Sequence, residues 1–260
     1  MRCGSGGTPP GSLVDGRILD VGGVGGALRQ LLARTEIRET RALIAVSDAL
    51  ASFKVITFPP STSDENIDSH AAKEFPFDAE RMAMRWIDVH RDGERRVVYT
   101  AVWDRGLVKR AADAARSAGL EPVVVELKSA CVARAVAVPS CVVLDMSTNP
   151  VDVFLIEGHV PQLWYSFPLA GALGEDVTPA LLAPLRQVLN FYRRRRQSDF
   201  KPSSPVFISG EQVVPDQVLT YLSQMLGHPV EALPAPPRIP TEVRHSTFLA
   251  CLGMLMRRAS

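Results

Sequence analysis

Residues 141–169, CVVLDMSTNPVDVFLIEGHVPQLWYSFPL, decide how this chain folds. They read as three successive β-strands joined by two tight turns. The first strand is a continuous apolar run that ends in a carboxylate, Cys141 to Asp145. The second alternates through Val151, Val153 and Leu155, and the third carries Leu163, Trp164 and Phe167. An uninterrupted apolar strand suits a sheet covered on both faces. The turns, Ser147-Thr148-Asn149-Pro150 and Glu157-Gly158-His159, use residues that fix φ, tolerate positive φ or hydrogen-bond their own backbone. What the acidic end of the first strand faces decides whether the protein handles a nucleotide.

Composition frames that question. At 260 residues, 46% hydrophobic and 22% charged, the chain can bury one large core or two modest ones. Its net charge of +1 gives no global attraction to nucleic acid or membrane, so an electrostatic partner needs a local patch. No apolar stretch approaches the roughly 20 residues that span a bilayer, and MRCGSGGTPPGS lacks a signal peptide's apolar core, so a cytoplasmic protein is expected. Cys3, Cys131, Cys141 and Cys251 are scattered without a CxxC pair. They read as reduced thiols, the last three buried as small apolar residues.

Outward from the opening stretch, residues 1–12 read as a mobile tail with nothing to bury. Gly22-Gly23-Val24-Gly25-Gly26 reads as a loop before a helix over Ala27 to Arg34; no GK[ST] follows it, which argues against phosphate binding there. Residues 42–58 read as two strands around a short turn, and 65–74 as a helix ended by Phe75-Pro76-Phe77. Arg81–Asp88 and Arg96–Trp103 form a hairpin around Arg91-Asp92-Gly93-Glu94. Asp104 caps a helix over 106–117, Pro122–Leu127 is a strand and Ala130–Val136 a helix. Beyond the opening stretch the longest helix is expected over Thr178–Gln197, with Pro184 kinking it. It ends in Arg193 to Arg196, read as a solvated face that complements the helix dipole, with anionic headgroups or an acidic partner as the alternative. A strand at Pro205–Ser209, a helix at Val214–Leu226, a strand at Pro229–Leu233 and a last helix at Thr247–Arg258 complete the chain. The five histidines stand singly, without HExxH or a GxSxG partner, and read as surface or turn residues.

In this order the pieces resemble the PilM-like proteins of type IV pilus assembly and competence, members of the actin-like ATPase superfamily related to the division protein FtsA. Residues 13–32, 71–77 (AAKEFPF), 105–127, 144–158, 206–210 (VFISG) and 248–257 (FLACLGMLMR) carry the likeness in register. The resemblance implies an α/β, actin-like (ribonuclease H-like), two-lobed fold. The first lobe, 1–138, contains an inserted α+β subdomain at about 42–128, and 139–260 forms the second lobe. It also implies a nucleotide held by a carboxylate-and-glycine hairpin from each lobe. On this chain Asp145, Ser147, Thr148, Ser209 and Gly210 occupy the matching nucleotide-binding positions.

The departures from that pattern are severe. The first hairpin, an Asp-Ile-Gly strand, is absent, as if the chain were truncated at its N-terminus. Ser147 stands where glycine is expected, and Asp152, in place of threonine or serine, adds charge beside the phosphates. Glu211 replaces a second glycine. Pro184 and Gln187 stand where the family offers Glu and Arg to the adenosine, and between Gly174 and Thr178 there is too little chain for the nucleotide-facing helix. Phosphoryl transfer rests on positioning and charge neutralisation, and one lost preorganised donor costs about 2.7–4 kcal/mol. Hydrolysis is therefore not expected, and neither is a bound cofactor, although the resemblance itself implies ATP and Mg2+.

The leading expectation is a cytoplasmic scaffold with no catalytic residues and no metal. It would dock the N-terminal tail of a PilN-like inner-membrane protein in a groove walled by parts of 42–58 and 81–103. Other pilus assembly proteins or a second copy are further partners, and nucleic acid is not one. Two alternatives stand beside it: a working actin-like ATPase whose first hairpin lies upstream of a misassigned start, and a homologous secretion-system or division component.

Overall fold

The computed structural model describes residues 2–147, 149–169, 177–194, 201–210, 214–236, 239 and 243–257. The chain gathers into two compact units, Met1–Lys128 and Ser129–Ser260. The first opens with a short hairpin, β1 (Leu13–Val14) and β2 (Arg17–Ile18), turned at Asp15 and Gly16, both at positive φ. There follow α1 (Val21–Thr35), β3 (Arg41–Val46), β4 (Ala51–Phe58), α2 (Asp64–Lys73), β5 (Met82–Arg91), β6 (Arg96–Asp104), α3 (Arg105–Ser117) and β7 (Glu121–Leu127). β3 and β7 pair in parallel, while β4, β6 and β5 form an antiparallel sheet with β6 in the middle.

Local signals explain most of these elements. Ser63 caps α2, accepting from Asn66 N, and Asp104 caps α3, accepting from Gly106 N at 2.8 Å and Leu107 N at 3.2 Å. The β5–β6 hairpin closes where Asp92 Oδ1 accepts from Glu94 N and Arg95 N, both at 2.8 Å.

The expected glycine loop at 22–26 is corrected: those residues form the first turns of α1, capped by Asp20, whose Oδ1 accepts from Gly23 N at 3.0 Å. Packing overrides propensity here. A Cβ on Gly25 would stand 1.6 Å from Ser117 Oγ and 2.9 Å from the Ala114 carbonyl oxygen, so only glycine lets α1 lie this close to α3. The segment before β1 is likewise not without contacts. Ser12 is buried, its hydroxyl donating to Pro9 O at 2.6 Å, and Arg34 Nη2 donates to Ser5 O at 2.8 Å.

The second unit comprises α4 (Lys128–Ala135), β8 (Cys141–Asp145), β9 (Val151–Glu157), β10 (Val160–Phe167), α5 (Val177–Arg193), β11 (Val206–Ser209), α6 (Asp216–Leu226), β12 (Val230–Ala232) and α7 (Leu249–Leu255). Its sheet runs β10-β9-β8-β11-β12, antiparallel through the first three strands and parallel from β8 to β12. The three strands and their tight second turn stand as the sequence predicts. Gly158 and His159 take φ of 60° and 61°, the paired positive values of a two-residue hairpin whose twist matches its strands. All of β8 is buried because both faces are covered. Leu181, Leu185, Leu189 and Leu222 from α5 and α6 pack on Val142, Leu144 and Val153. Val132, Ala135 and Leu249 from α4 and α7 pack on Cys141, Val143 and Phe154.

Two sequence expectations fail in this unit. Cys251 is exposed, because α7 turns Leu249, Leu252 and Met254 inward and leaves Cys251 outside. His228 is 2% exposed rather than a surface or turn residue. The Arg193 Nη2 donor stands 2.8 Å from its Nε2, and Ser204 O lies 2.9 Å from its Nδ1. Arginine can only donate, so Nε2 accepts and Nδ1 carries the proton to Ser204. Arg195 to Gln197, the expected end of α5, lie outside the described residues, as does Gly174 with the short connection read before α5.

Candidate functional site

The carboxyl ends of parallel strands are where open α/β sheets bind ligands, and four of the five predicted site residues meet there. Ser209 at the end of β11 pairs with Asp145 at the end of β8, and Met146 N donates to Ser209 O at 2.7 Å. Ser147 follows on one strand and Gly210 on the other; Thr148 lies outside the described residues. Asp145 stands directly opposite Asp152 on β9, the two being 3% and 7% exposed. Trp164 Nε1 donates to Asp152 Oδ1 at 2.9 Å.

The polar groups of this crevice are turned on one another. Ser147 N, the amide that a phosphate-binding turn would offer outward, donates to Asp145 Oδ1 at 2.9 Å. The Ser209 hydroxyl donates to Ser246 O at 2.7 Å, and the Ser246 hydroxyl to Gly210 O at 3.0 Å. Gly210 takes φ of 131°, and a Cβ on it would stand 2.7 Å from the Met146 carbonyl carbon and 2.9 Å from Ser147 N. Its missing side chain is thus accounted for by the chain's own backbone approach. No sequence signal marks Ser246, which lies 36 residues from the carbonyl it serves. Among the described residues no three His, Cys, Asp or Glu side chains gather as metal ligands.

The second candidate surface lies in the first unit. β6 reads RVVYTAVWD, apolar on both faces, and the β4-β6-β5 sheet uses them differently. One face carries α2: Ile67 packs with Phe58, Val98, Ile56 and Trp86. Arg96, buried under the Trp86 ring, donates from Nε to Asp88 Oδ1 at 2.6 Å and from Nη2 to Asp64 Oδ1 at 2.8 Å, tying α2 to the sheet. The opposite face carries Phe53, Val55, Val97, Tyr99 and Trp103, all half-buried and the Tyr99 hydroxyl fully so, together with Ile87, 52% exposed, and the exposed Arg85 and His90. Phe53 and Tyr99 stack with ring centroids 5.5 Å apart. Among the described residues β4 and β5 each have one strand neighbour, which puts them at the two margins of the sheet. Of the predicted groove walls, 51–58, 82–91 and 96–104 therefore share one sheet, while 41–46 belongs to the β3–β7 pair. The signal for this surface was present in the sequence: residues 97–103 lack the polar alternation of a half-solvated strand.

No protein-family model and no curated protein matches the sequence. Solved structures do. A chain of a PilM-PilN type IV pilus biogenesis complex superposes with a TM-score of 0.73 at 20% identity, covering 97% of this chain and 90% of that one. The cytoplasmic domain of EpsL, an inner-membrane component of the type II secretion system of Vibrio cholerae, matches at 0.50 and 11% identity over 90% and 82% of the two chains. MreB5 of Spiroplasma citri bound to ADP matches at 0.50 and 10% identity, over 94% and 77%. The chain has the actin-like fold, in a form similar to that found in the PilM-PilN complex.

Proposed function

We propose that this protein is a scaffold of a type IV pilus assembly platform that docks the N-terminal tail of a PilN-like membrane protein and does not hydrolyse ATP. The observation that carries the reading is the half-exposed face of the β4-β6-β5 sheet opposite α2, rich in aromatic side chains, with β4 and β5 at the margins of the sheet among the described residues. An extended peptide gains affinity from main-chain pairing along such an edge and from apolar side chains seated on the face. The likeness to a chain of a PilM-PilN complex supports the partner's identity. No helix among the described residues is long and apolar enough to cross a membrane, in keeping with a protein brought to the membrane by its partner.

The test is co-purification with a co-expressed PilN-like membrane protein, comparing the parent chain with Val55→Asp and Tyr99→Asp. Loss of the partner from both variants, with unchanged melting of the chain alone, supports the reading; retention by both sinks it.

A second reading, a nucleotide-binding actin-like protein, has one observation in its favour: Asp145, Ser209 and Gly210 do converge at the carboxyl ends of β8 and β11. Against it stand the Asp145–Asp152 pair and the inward use of Ser147 N and Ser209 Oγ. We therefore expect neither ATP nor Mg2+ as a resident cofactor. Titration calorimetry with Mg-ATP decides, since a micromolar dissociation constant revives the nucleotide reading.

A further inference from the structure

α5 and α6 lie side by side on one face of the second sheet, burying Leu185, Leu189, Leu222 and Leu226 beneath them. Their outer surface has an unusual composition for a protein of net charge +1. Residues 177–194 contain no acidic side chain, and Arg186, Arg193 and Arg194 are all exposed. α6 has a single acid, Asp216, in its first turn, about 13 Å along the axis from Met225. The surface also exposes large apolar groups: Phe191 at 50%, Tyr221 at 45% and Met225 at 38%.

These groups are contiguous. Arg186 Nη2 donates to Met225 O at 3.1 Å, which joins the two helices at the surface. Tyr221 and Met225 are one turn apart on α6 and share a face. On α5, Arg186 and Arg193 lie seven residues apart on the flank nearest α6, Arg194 faces outward, and Phe191 lies on the far flank. The result is a strip of guanidinium groups between two apolar margins. A solvated helix face needs arginines but has no use for exposed Phe, Tyr and Met. An acidic polypeptide would use the charges alone. Both features together fit an interface in which cations meet phosphate headgroups while aromatic and thioether side chains dip toward the acyl chains.

We propose that the outer α5–α6 face docks directly on an anionic bilayer surface, a contact separate from any peptide docked on the first unit. The charges set the orientation, and Phe191, Tyr221 and Met225 enter the headgroup layer.

The experiment is co-sedimentation of the full chain with phosphatidylcholine vesicles, with and without phosphatidylglycerol. Binding to the anionic vesicles alone, weakened by salt, is the expected result. Arg186→Glu with Arg194→Glu is expected to lower vesicle affinity by at least about 25-fold, at roughly fivefold per arginine. Tyr221→Ser with Met225→Ser is expected to lower it about tenfold through lost apolar insertion. Thermal melts check that each pair still folds, and the second pair carries the test if the first does not. Absence of binding to phosphatidylglycerol vesicles overturns the proposal. So does binding that soluble polyglutamate abolishes and that the Tyr221 and Met225 changes leave intact, which would point to an acidic polypeptide.

Discussion

Gly25 and Gly26 are adjacent in sequence, both helical, and should respond to alanine in opposite directions. At Gly26 an added Cβ meets nothing within 4 Å. Gly26→Ala therefore removes only the backbone entropy that glycine loses on entering a helix, a gain of about 0.5–1 kcal/mol. At Gly25 the same methyl group would stand 1.6 Å from Ser117 Oγ, 3.0 Å from Ser117 Cβ and 2.9 Å from the Ala114 carbonyl oxygen. The hydroxyl can rotate away, at the expense of its 2.9 Å bond to Ala114 O. The backbone oxygen cannot, so α1 must lift off α3 by several tenths of an ångström. Overpacking of this kind costs about 1–3 kcal/mol, which exceeds the helix-propensity gain. The net expectation for Gly25→Ala is a loss of up to about 2.5 kcal/mol, and because both changes share the propensity gain the two variants lie about 1–3 kcal/mol apart. With two units in the chain a global melt mixes transitions. The assay is therefore urea unfolding followed by tryptophan fluorescence in a Trp164→Phe background, which leaves Trp86 and Trp103 to report on the first unit alone. Equal midpoints, or a Gly25→Ala midpoint above the parent, would refute the close-approach account of these glycines.

Three other expectations follow from single side chains or from the crevice. The Thr100 hydroxyl is wholly buried without a hydrogen-bond partner among the described residues, so Thr100→Val should stabilise the first unit by about 1 kcal/mol, read as a higher urea midpoint in the same background. His228 is held neutral, burial and the neighbouring Arg193 lowering its pKa against the weaker opposing pull of Ser204 O. The unfolded chain then binds the proton more readily, so the second unit keeps its full stability above about pH 6.5 and loses it as pH falls below that value toward the lowered folded pKa. Unfolding monitored by Trp164 alone should show that decline in the parent and a flatter profile in His228→Gln; identical slopes would remove His228 as the cause. At the crevice, Asp145→Ala should leave partner co-purification unchanged, and a large loss would tie the crevice to partner binding after all.

How much of this was legible in the sequence depended on how local each determinant is. The strands of 141–169 announce themselves because an unbroken apolar run, a proline-containing turn and a Gly-His turn act within a few residues. The caps at Ser63 and Asp104 are local in the same sense. The start of α1 reads as a loop on propensity alone, because its glycines are explained by Ala114 and Ser117, some ninety residues on. His228 could not be placed for the same reason, its partners Arg193 and Ser204 being 35 and 24 residues away. The convergence of Asp145, Ser209 and Gly210 followed from reading two parallel strands, yet the diversion of Ser147 N and Ser209 Oγ into internal bonds is a matter of tenths of an ångström that no spacing encodes.

The half-exposed face of the β4-β6-β5 sheet has a thermodynamic consequence for any protein that lies on it. A ligand that binds only the folded unit adds RT ln(1 + [L]/Kd) to that unit's stability, about 2.7 kcal/mol at a hundred times its dissociation constant. The first unit's resistance to unfolding and proteolysis would then track how much partner is present, while the second unit, whose sheet is covered on both faces by its own helices, would not. Abundance of the partner would thereby set the lifetime of one half of the chain.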